Sequence, residues 1–500
     1  MKPIPVLLPD EVRALEARAA RPGASSLMER AGRAVAQAAR RLAADTGAPI
    51  LVIAGPGNNG GDAWVAAAHL SETFHPVVVF DVTGTEPKAV EARVAREGYS
   101  SRGGNLVRAW PENLKPSLIV DGLLGLGLSR DVDTNFADII HKINASGAPV
   151  LAIDAPSGLD TGSGAVRGSA VRATNTITFL AHKVGLHTGD GMEYRGALEL
   201  DDLGVADEAW REAHGHLLTP ELARTWLKPR LANSHKGHHG SVAVIGGNRG
   251  MVGAALLAAR AALLCGAGKV RTGLLSSDAP SVDLEHPELM LGSIDDALEF
   301  EVIVAGPGAG QSPSATSVSM FERNLLPSLM ASSKPLVLDA DALNAIAFNA
   351  TLETDLAART SAPTILTPHP AEAARLLHKK TEQVNEDRVG SAIALAKRFN
   401  AHVVLKGAGS ICAFPDGRWS VNTTGNPGLA AAGSGDVLAG MIGAMLAQKL
   451  DPEMALQYAV CLHGAAADSL LARGVGPVGL AASEVALEAR AVLNSWTRCA

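Results

Sequence analysis

The segment PILVIAGPGNNGGDAWVAAAHL, residues 49–70, decides the fold of the N-terminal half. A continuous apolar run, Ile50–Ala54, ends in a glycine-rich turn that leads to an alanine-rich helix expected to start near Trp64. Such a run describes a strand covered on both faces, and strand, turn and helix together make one βα unit of a parallel sheet. The same alternation returns outward in HPVVVFDV (75–82), SLIVDGLLG (117–125) and APVLAIDAP (148–156). The first half therefore reads as a Rossmann-like three-layer α/β sandwich. A second series starts near Gly240 with SVAVIGG and continues through EVIVAGPG, PLVLDADAL, PTILTPHP and HVVLKGAG, each strand ending in Gly, Pro, Asp or His. This half is α/β as well.

A chain of 500 residues exceeds one ordinary core. The polar, proline-bearing stretch GHLLTPELARTWLKPRLANSHKGHHG (215–240) lacks an apolar period, which puts the boundary near 220 and the domains at 1–220 and 221–500. The net charge of −7 provides no basic field, so a small-molecule ligand is expected and no nucleic acid. Cys265, Cys412, Cys461 and Cys499 form no CxxC pair, which argues against both a disulfide framework and a structural zinc site. The N-terminal MKPIPVLLPDEVRALEARAA is not patterned as a signal peptide, and the apolar stretches at 252–267 and 429–447 are interrupted by polar residues. A cytoplasmic enzyme without a membrane partner is expected, and alanine-rich amphipathic helices suit a homo-oligomer.

In the first half, GPGNNGGDA (55–63) lets backbone N–H groups approach an anion at a helix start. It is not GxGxxG, because Asn58, Asn59 and Asp62 occupy it; the asparagines also suit an ordinary turn. Asp121 with the loop Gly125–Asp131, and Asp154 with Ser157, follow two further strands. Loops at the carboxyl ends of parallel strands converge on one crevice. In the second half, GNPGLAAAGSGDVLAGMIGAMLA (425–447) opens an apolar helix at GSGD, with Gly433 and Gly435 exposing donors and Asp436 at the positive helix end. Asp436 is either a helix cap or, beside an anion hole, the base for phosphoryl transfer to a hydroxyl.

GPGNNGGD, the loop after Asp121, DAPSGLD (154–160) and TFLAHKVGL (178–186) together resemble the N-terminal YjeF domain, the NAD(P)H-hydrate epimerase. The resemblance implies that Asn58, Asn59, Gly60, Gly61, Asp62 and the loop Gly125, Leu126, Gly127, Leu128, Ser129, Arg130, Asp131 hold the dinucleotide, with Asp154 at the substrate. It implies potassium held by Asn59, Asp121 and Ser157, and acid-base work by Asp154 and Lys183 at the carbinolamine centre; a loop lysine is otherwise a solvated charge. Ala63 and Leu126 depart from the family pattern.

The ordered motifs SHKGHHGSVAVIGGN, MVGAALLAARAALLCGAGKV, AGPGAG, LDADALN, LTPHPAEAARLL and VLKGAGS (234–410) resemble the C-terminal YjeF domain, a ribokinase-like NAD(P)H-hydrate dehydratase. That resemblance assigns Ala254, Gly308, His369 and Asp436 to the hydrated dinucleotide, and Lys406, Gly407, Ala408, Gly409, Ser410 and Gly435 to the adenine nucleotide. Asp436 would be the base, Lys406 would neutralise phosphate charge, and magnesium would come with ADP. His235, His238 and His239 lack zinc-ligand spacing and read as a polar linker or nucleotide-facing loop. The implied whole is a bifunctional enzyme that epimerises NADHX and NADPHX and dehydrates the S form with ADP, giving AMP and phosphate. The alternative is a ribokinase-type small-molecule kinase fused to a non-catalytic Rossmann-like binding module.

Overall fold

Central strands buried along their whole length organise the N-terminal unit, which in the computed structural model comprises Ile4–His216 and is followed by a second unit, Leu217–Ala500. The structure describes residues 3–19, 26–43, 47–73, 75–87, 89–128, 130–205, 211, 213–310 and 319–498. Seven strands, β1 (Ile50–Ala54), β2 (Val77–Asp81), β3 (Asn105–Val107), β4 (Leu118–Gly122), β5 (Val150–Ile153), β6 (Asn175–Phe179) and β7 (Ala197–Asp201), form one sheet. Its order is β3-β2-β1-β4-β5-β6-β7, with every pair parallel. Ile50, Val52 and Ala54 enter one core with helices α1 (Pro9–Ala19), α2 (Leu27–Leu42), α3 (Asn58–Ser71) and α4 (Val90–Ser101), while Leu51 and Ile53 enter the other with α5 (Thr134–Ala145). This is the three-layer sandwich, and strand order reverses between β1 and β4, where open parallel sheets bind ligands.

Helix α3 begins at Asn58, not near Trp64 as the glycines suggest, so NNGGD is its first turn and a half. The glycines are helical because the packing admits no side chain. A Cβ on Gly60 would lie 1.9 Å from the Gly55 carbonyl oxygen, and one on Gly61 2.5 Å from the Met28 methyl carbon. Ala63, the departure from the family pattern, is fully buried and packs beneath Gly122.

The C-terminal unit contains β8 (Ser241–Gly246), β9 (Lys269–Leu274), β10 (Met290–Gly292), β11 (Val302–Ala305), β12 (Leu336–Leu338), β13 (Thr364–Leu366), β14 (His402–Leu405), β15 (Ile411–Ala413) and β16 (Trp419–Asn422). They run in the order β10-β9-β8-β11-β12-β13-β14-β15-β16, parallel up to β14 and antiparallel beyond it. Val242, Val244, Val302, Val304, Val337, Ile365 and Val404 face a core shared with α6 (Val252–Leu264), α9 (Ser434–Ala447), α10 (Pro452–Ala472) and α11 (Ala482–Arg498). The short helices α7 (Asp341–Ala347) and α8 (Pro370–Leu377) follow β12 and β13. Part of the stretch expected to be a linker is ordered: Gly215–Leu218 is a strand and Pro220–Ala223 a helical turn capped by Thr219. Cys265, Cys412 and Cys461 are free and buried, and Cys499 lies outside the described residues. Among the described residues no helix is long and apolar enough to cross a membrane.

Helix α9 is buried around nearly its whole circumference, which is possible only where its glycines let neighbours approach. A Cβ on Gly440 would sit 1.9 Å from the backbone oxygen of Ala258 in α6. Gly440→Ala should therefore destabilise the C-terminal unit by about 1–3 kcal/mol or more, the range for overpacked cores. Thermal and urea unfolding of the variant measure this; an unchanged midpoint would mean that α6 and α9 do not pack this closely.

Candidate active sites

Strand ends deliver the N-terminal site. A cleft of about 1170 Å³ opens at the β1–β4 switch point and is lined by Asn58, Asn59, Asp62, Gly125, Leu126, Gly127, Leu128, Arg130, Asp131, Asp154 and Lys183. Gly60 and Gly61 do not line it; as helical packing positions they meet Gly55 and Met28 instead. Ser129 lies outside the described residues.

Lys183, which as a loop residue invites the reading of a solvated charge, is 1% exposed and sits in the short strand His182–Lys183. Its ammonium group is paired with Asp154 Oδ1 and donates to Thr178 Oγ1 (2.9 Å) and the Phe179 carbonyl (2.7 Å). All three N–H bonds are used, so this lysine holds the carboxylate rather than moving freely. Asp154 Oδ1 also accepts from the Phe179 N–H at 3.2 Å. The backbone at Asp154 has φ +64°, a conformation unusual outside glycine and typical of functional sites.

Sequence reasoning did not single out Glu16 of α1, yet it lines the same cleft. Burial, then the charge of Asp154, raises the Glu16 pKa above the ordinary carboxylate value. Burial, then Asp154 and Glu16, raises that of Asp62 well above it. A carboxyl pushed toward its neutral form thus stands beside an ion-paired carboxylate.

Behind the cleft, Asp121 is fully buried. Its Oδ1 accepts from Ser157 Oγ (2.6 Å) and the Leu123 N–H (3.2 Å), and its Oδ2 from the Ser157 N–H (2.9 Å). Asn59 Nδ2 donates to the Leu124 carbonyl at 2.7 Å, which brings Asn59, Asp121 and Ser157 around one turn. Burial pushes the Asp121 carboxyl up, against the hydrogen bonds from Ser157 and Leu123. The donors here are all oxygens, a set that fits a hard cation and not a thiophilic metal.

The C-terminal cluster forms at the ends of β12, β13 and β14. Lys406 Nζ lies 3.0 Å from Asp339 Oδ1 and 4.0 Å from Glu372 Oε2. Asp339 Oδ1 also accepts from Thr367 Oγ1 at 2.6 Å. Burial works against the charge of Lys406, but Asp339 and Glu372 outweigh it and raise its pKa. A Cβ on Gly435 would come within 3.0 Å of that ammonium nitrogen, which places the lysine against the first turn of α9. Asp436 occupies the same turn, and burial followed by repulsion from Asp339 raises its carboxyl to about 7. His369 caps α8: its Nδ1 accepts from the Ala371 N–H (3.1 Å), and its own N–H donates to Glu372 (2.8 Å). Gly308 has φ +60°, a Cβ on it would lie 3.0 Å from the Ala254 side chain, and the neighbouring Gly310 N–H donates to Asp341 at 2.8 Å. Ala340, between Asp339 and Asp341, has φ +50° and turns the chain so that both carboxylates serve the site. In the turn after Lys406, Ser410 Oγ closes onto the Gly407 carbonyl at 3.1 Å.

The GNPGL loop before α9 is braced by α10. Asp468 accepts from the Gly425 N–H (2.8 Å) and Asn426 Nδ2 (3.0 Å), and buried His463 lies 3.3 Å from Ser434 Oγ. Neither residue stands out in sequence, because each acts across some thirty to forty residues on a loop that only the fold brings near. His235 and His238 stack with ring centroids 3.7 Å apart, His239 pairs with Ser234, and the His239 carbonyl accepts from the Gly268 N–H at 3.2 Å, so this segment is a polar turn seated on the chain entering β9.

Two family models match the chain: residues 24–185 match the YjeF-related protein N-terminus, and residues 242–486 match the NAD(P)H-hydrate dehydratase model. The bifunctional NAD(P)H-hydrate repair enzyme of Escherichia coli K12 is 37% identical over 480 residues, spanning 94% of this chain and 89% of that protein. The enzyme of the same name from Coxiella burnetii is 37% identical over 500 residues, 97% of this chain and 98% of its own. Among solved structures, an ADP/ATP-dependent NAD(P)H-hydrate dehydratase from Bacillus subtilis, co-crystallised with ATP and magnesium, covers 56% of this chain and 98% of its own at 32% identity, with a TM-score of 0.48.

A carboxyl whose pKa rises from the ordinary 3.8 to about 7 on folding binds its proton more tightly in the native state. Asp436 therefore subtracts stability progressively as pH rises from about 4 to about 7. Asp436→Asn should raise the melting temperature relative to the parent chain at pH 8 and leave it unchanged at pH 4. Calorimetry at the two pH values checks this, and equal shifts at both would contradict the perturbed carboxyl.

Proposed function

This chain belongs to the family of bifunctional NAD(P)H-hydrate repair enzymes, and from that premise we propose how its residues divide the work. Residues 1–220 interconvert the R and S forms of NADHX and NADPHX, and residues 221–500 dehydrate the S form to NADH or NADPH with ADP. The observation that carries this reading is the pairing, within one chain, of a dinucleotide-sized cleft holding an acid beside an ion-paired carboxylate with an anion-binding helix start holding a carboxyl near pKa 7.

In the first unit, Asp154 accepts the hydroxyl proton at the carbinolamine carbon and Lys183 fixes that carboxylate in place. Asp62, whose carboxyl burial and Asp154 push toward the proton-bearing form, is the partner that returns a proton when the ring is rebuilt on the other face. Asn58, Asn59 and the Gly125–Asp131 loop hold the dinucleotide. Asn59, Asp121 and Ser157 would hold potassium, whose charge would offset the buried Asp121 carboxylate.

In the second unit, Asp436 takes the proton from the substrate hydroxyl as its oxygen attacks the terminal phosphoryl group of ADP, and AMP leaves. The ring-nitrogen electron pair then expels phosphate, and loss of the neighbouring carbon-bound proton restores the ring double bond. Phosphate leaves far more readily than hydroxide, which is why a nucleotide is consumed. The helix start at Gly433–Gly435 stabilises the transferring group, Gly308, Ala254 and His369 face the hydrated ring, and residues 406–410 take the nucleotide. Magnesium bound through the phosphate oxygens would spread their charge. A cytoplasmic homo-oligomer acting without nucleic acid or membrane belongs to the same proposal, and light scattering of the purified chain reads its stoichiometry.

A mixture of R and S hydrates incubated with the intact chain should return fully to the 340 nm absorbance of the reduced dinucleotide with ADP, and not without nucleotide. Running the assay with ATP in place of ADP sets the phosphoryl donor. Asp154→Asn and Lys183→Met should leave the R form unconsumed while the S form still reacts, and Asp436→Asn should abolish dehydration of both. A stable phosphorylated product in place of free phosphate would make the second unit a kinase. Because Asp436 must be ionised to act, the dehydration kcat should rise about tenfold per pH unit below about 7 and level off above it.

A further inference from the structure

One buried cation lies beneath the Lys406–Ser410 turn and takes no part in the chemistry above. Arg388 opens the helix Arg388–Arg398 and is 6% exposed. Its Nη2 reaches only the carbonyls of Leu405 (3.4 Å) and Lys406 (3.3 Å), and its Nε has no hydrogen-bond partner among the described residues. Nothing lends it a carboxylate: burial alone acts on the guanidinium and pulls it down to about 10. A Cβ on Gly407 would lie 2.9 and 3.0 Å from its two Nη atoms, so the guanidinium packs against the inner side of a turn whose outer side, at Gly407 and Ala408, is exposed.

A structural role for a buried arginine looks different in this same unit. Arg359, 5% exposed, donates to the carbonyls of Met330, Ser332 and Lys334 and to the hydroxyls of Thr364 and Ser361, so its Nε and both Nη atoms have acceptors. Arg388 has no such set. The nearby carboxylates do not supply the missing negative charge, because Asp339 and Glu372 both face the Lys406 ammonium. An isolated buried charge costs several kcal/mol unless an anion meets it. Across a single layer of glycine backbone, in a low-dielectric setting, that anion can sit on the far side of the turn.

We propose that Arg388 is a positioning residue whose charge, acting through the Gly407 turn, is balanced by the phosphates of the nucleoside diphosphate bound at residues 406–410. The inference rests on the nucleotide reading of that turn. Lys406 thus joins the nucleotide turn to the carboxylates beside Asp436, and Arg388 answers the phosphates from beneath that turn.

The test uses the full chain with Arg388→Met, which keeps length without charge, and Arg388→Lys. ADP affinity is measured by calorimetry, the unliganded melting temperature by scanning calorimetry, and the KM for the S hydrate by the dehydration assay. We expect Arg388→Met to weaken ADP binding at least tenfold, to leave the hydrate KM within twofold, and to leave the unliganded melting temperature unchanged or higher, with Arg388→Lys regaining part of the ADP affinity. Unchanged ADP affinity in Arg388→Met overturns the inference, and so does a lowered unliganded melting temperature, since either makes Arg388 a structural prop. Absence of ADP binding by the parent chain would overturn the nucleotide reading itself, and the inference with it.

Discussion

Ammonium groups buried against carboxylates at the carboxyl ends of parallel strands set the terms for both units. Lys183 is held by Asp154, Thr178 and the Phe179 carbonyl, and Lys406 by Asp339 with Glu372 nearby. Each pair is removed from water, where breaking it by deleting one partner typically costs about 3–5 kcal/mol. The surrounding polar groups follow from that constraint. Thr367 satisfies Asp339, His369 and Glu372 cap one another at the head of α8, and the carboxyls left without a cation, Asp62 and Asp436, are pushed toward their neutral forms. Carboxyls tuned toward neutrality thus arise from where the lysines are already committed.

The backbone bends to make this possible. Asp154 and Ala340, each just past the end of a strand, adopt positive φ angles that side-chain-bearing residues rarely take. Both redirect a chain leaving a parallel strand so that successive carboxylates turn into the site. Strain of this kind persists only where neighbouring structure over-determines it. Here the neighbours are the paired strands on either side.

Much of this was legible in the chain. Apolar runs located β1, β2, β4 and β5, because a strand covered on both faces cannot hide its composition. Asn58, Asn59, Asp62, Asp121, Asp154 and Ser157 could be named because each stands at a strand end or helix start, where backbone geometry gathers ligand-facing groups. What misled was local. Glycines in NNGGD read as a turn, yet Gly60 and Gly61 are helical and excluded from the cleft, since close packing and tight turning require the same residue. Lys183 reads as a solvated charge in sequence because its carboxylate partner, Asp154, lies 29 residues away and only the fold brings the two together.

Taken alone, the order of residues determined two α/β units, the glycine-bearing strand ends and the identity of the groups that carry charge. Periodicity and turn chemistry are short-range properties, and they survive in a linear string. Only the tertiary structure decided which charges are paired, which carboxyls are pushed toward neutrality, and that Arg388 lies uncompensated beneath the Gly407 turn. Those outcomes depend on burial and on distances between residues far apart in sequence, and a charge has no fixed energy until its surroundings are known.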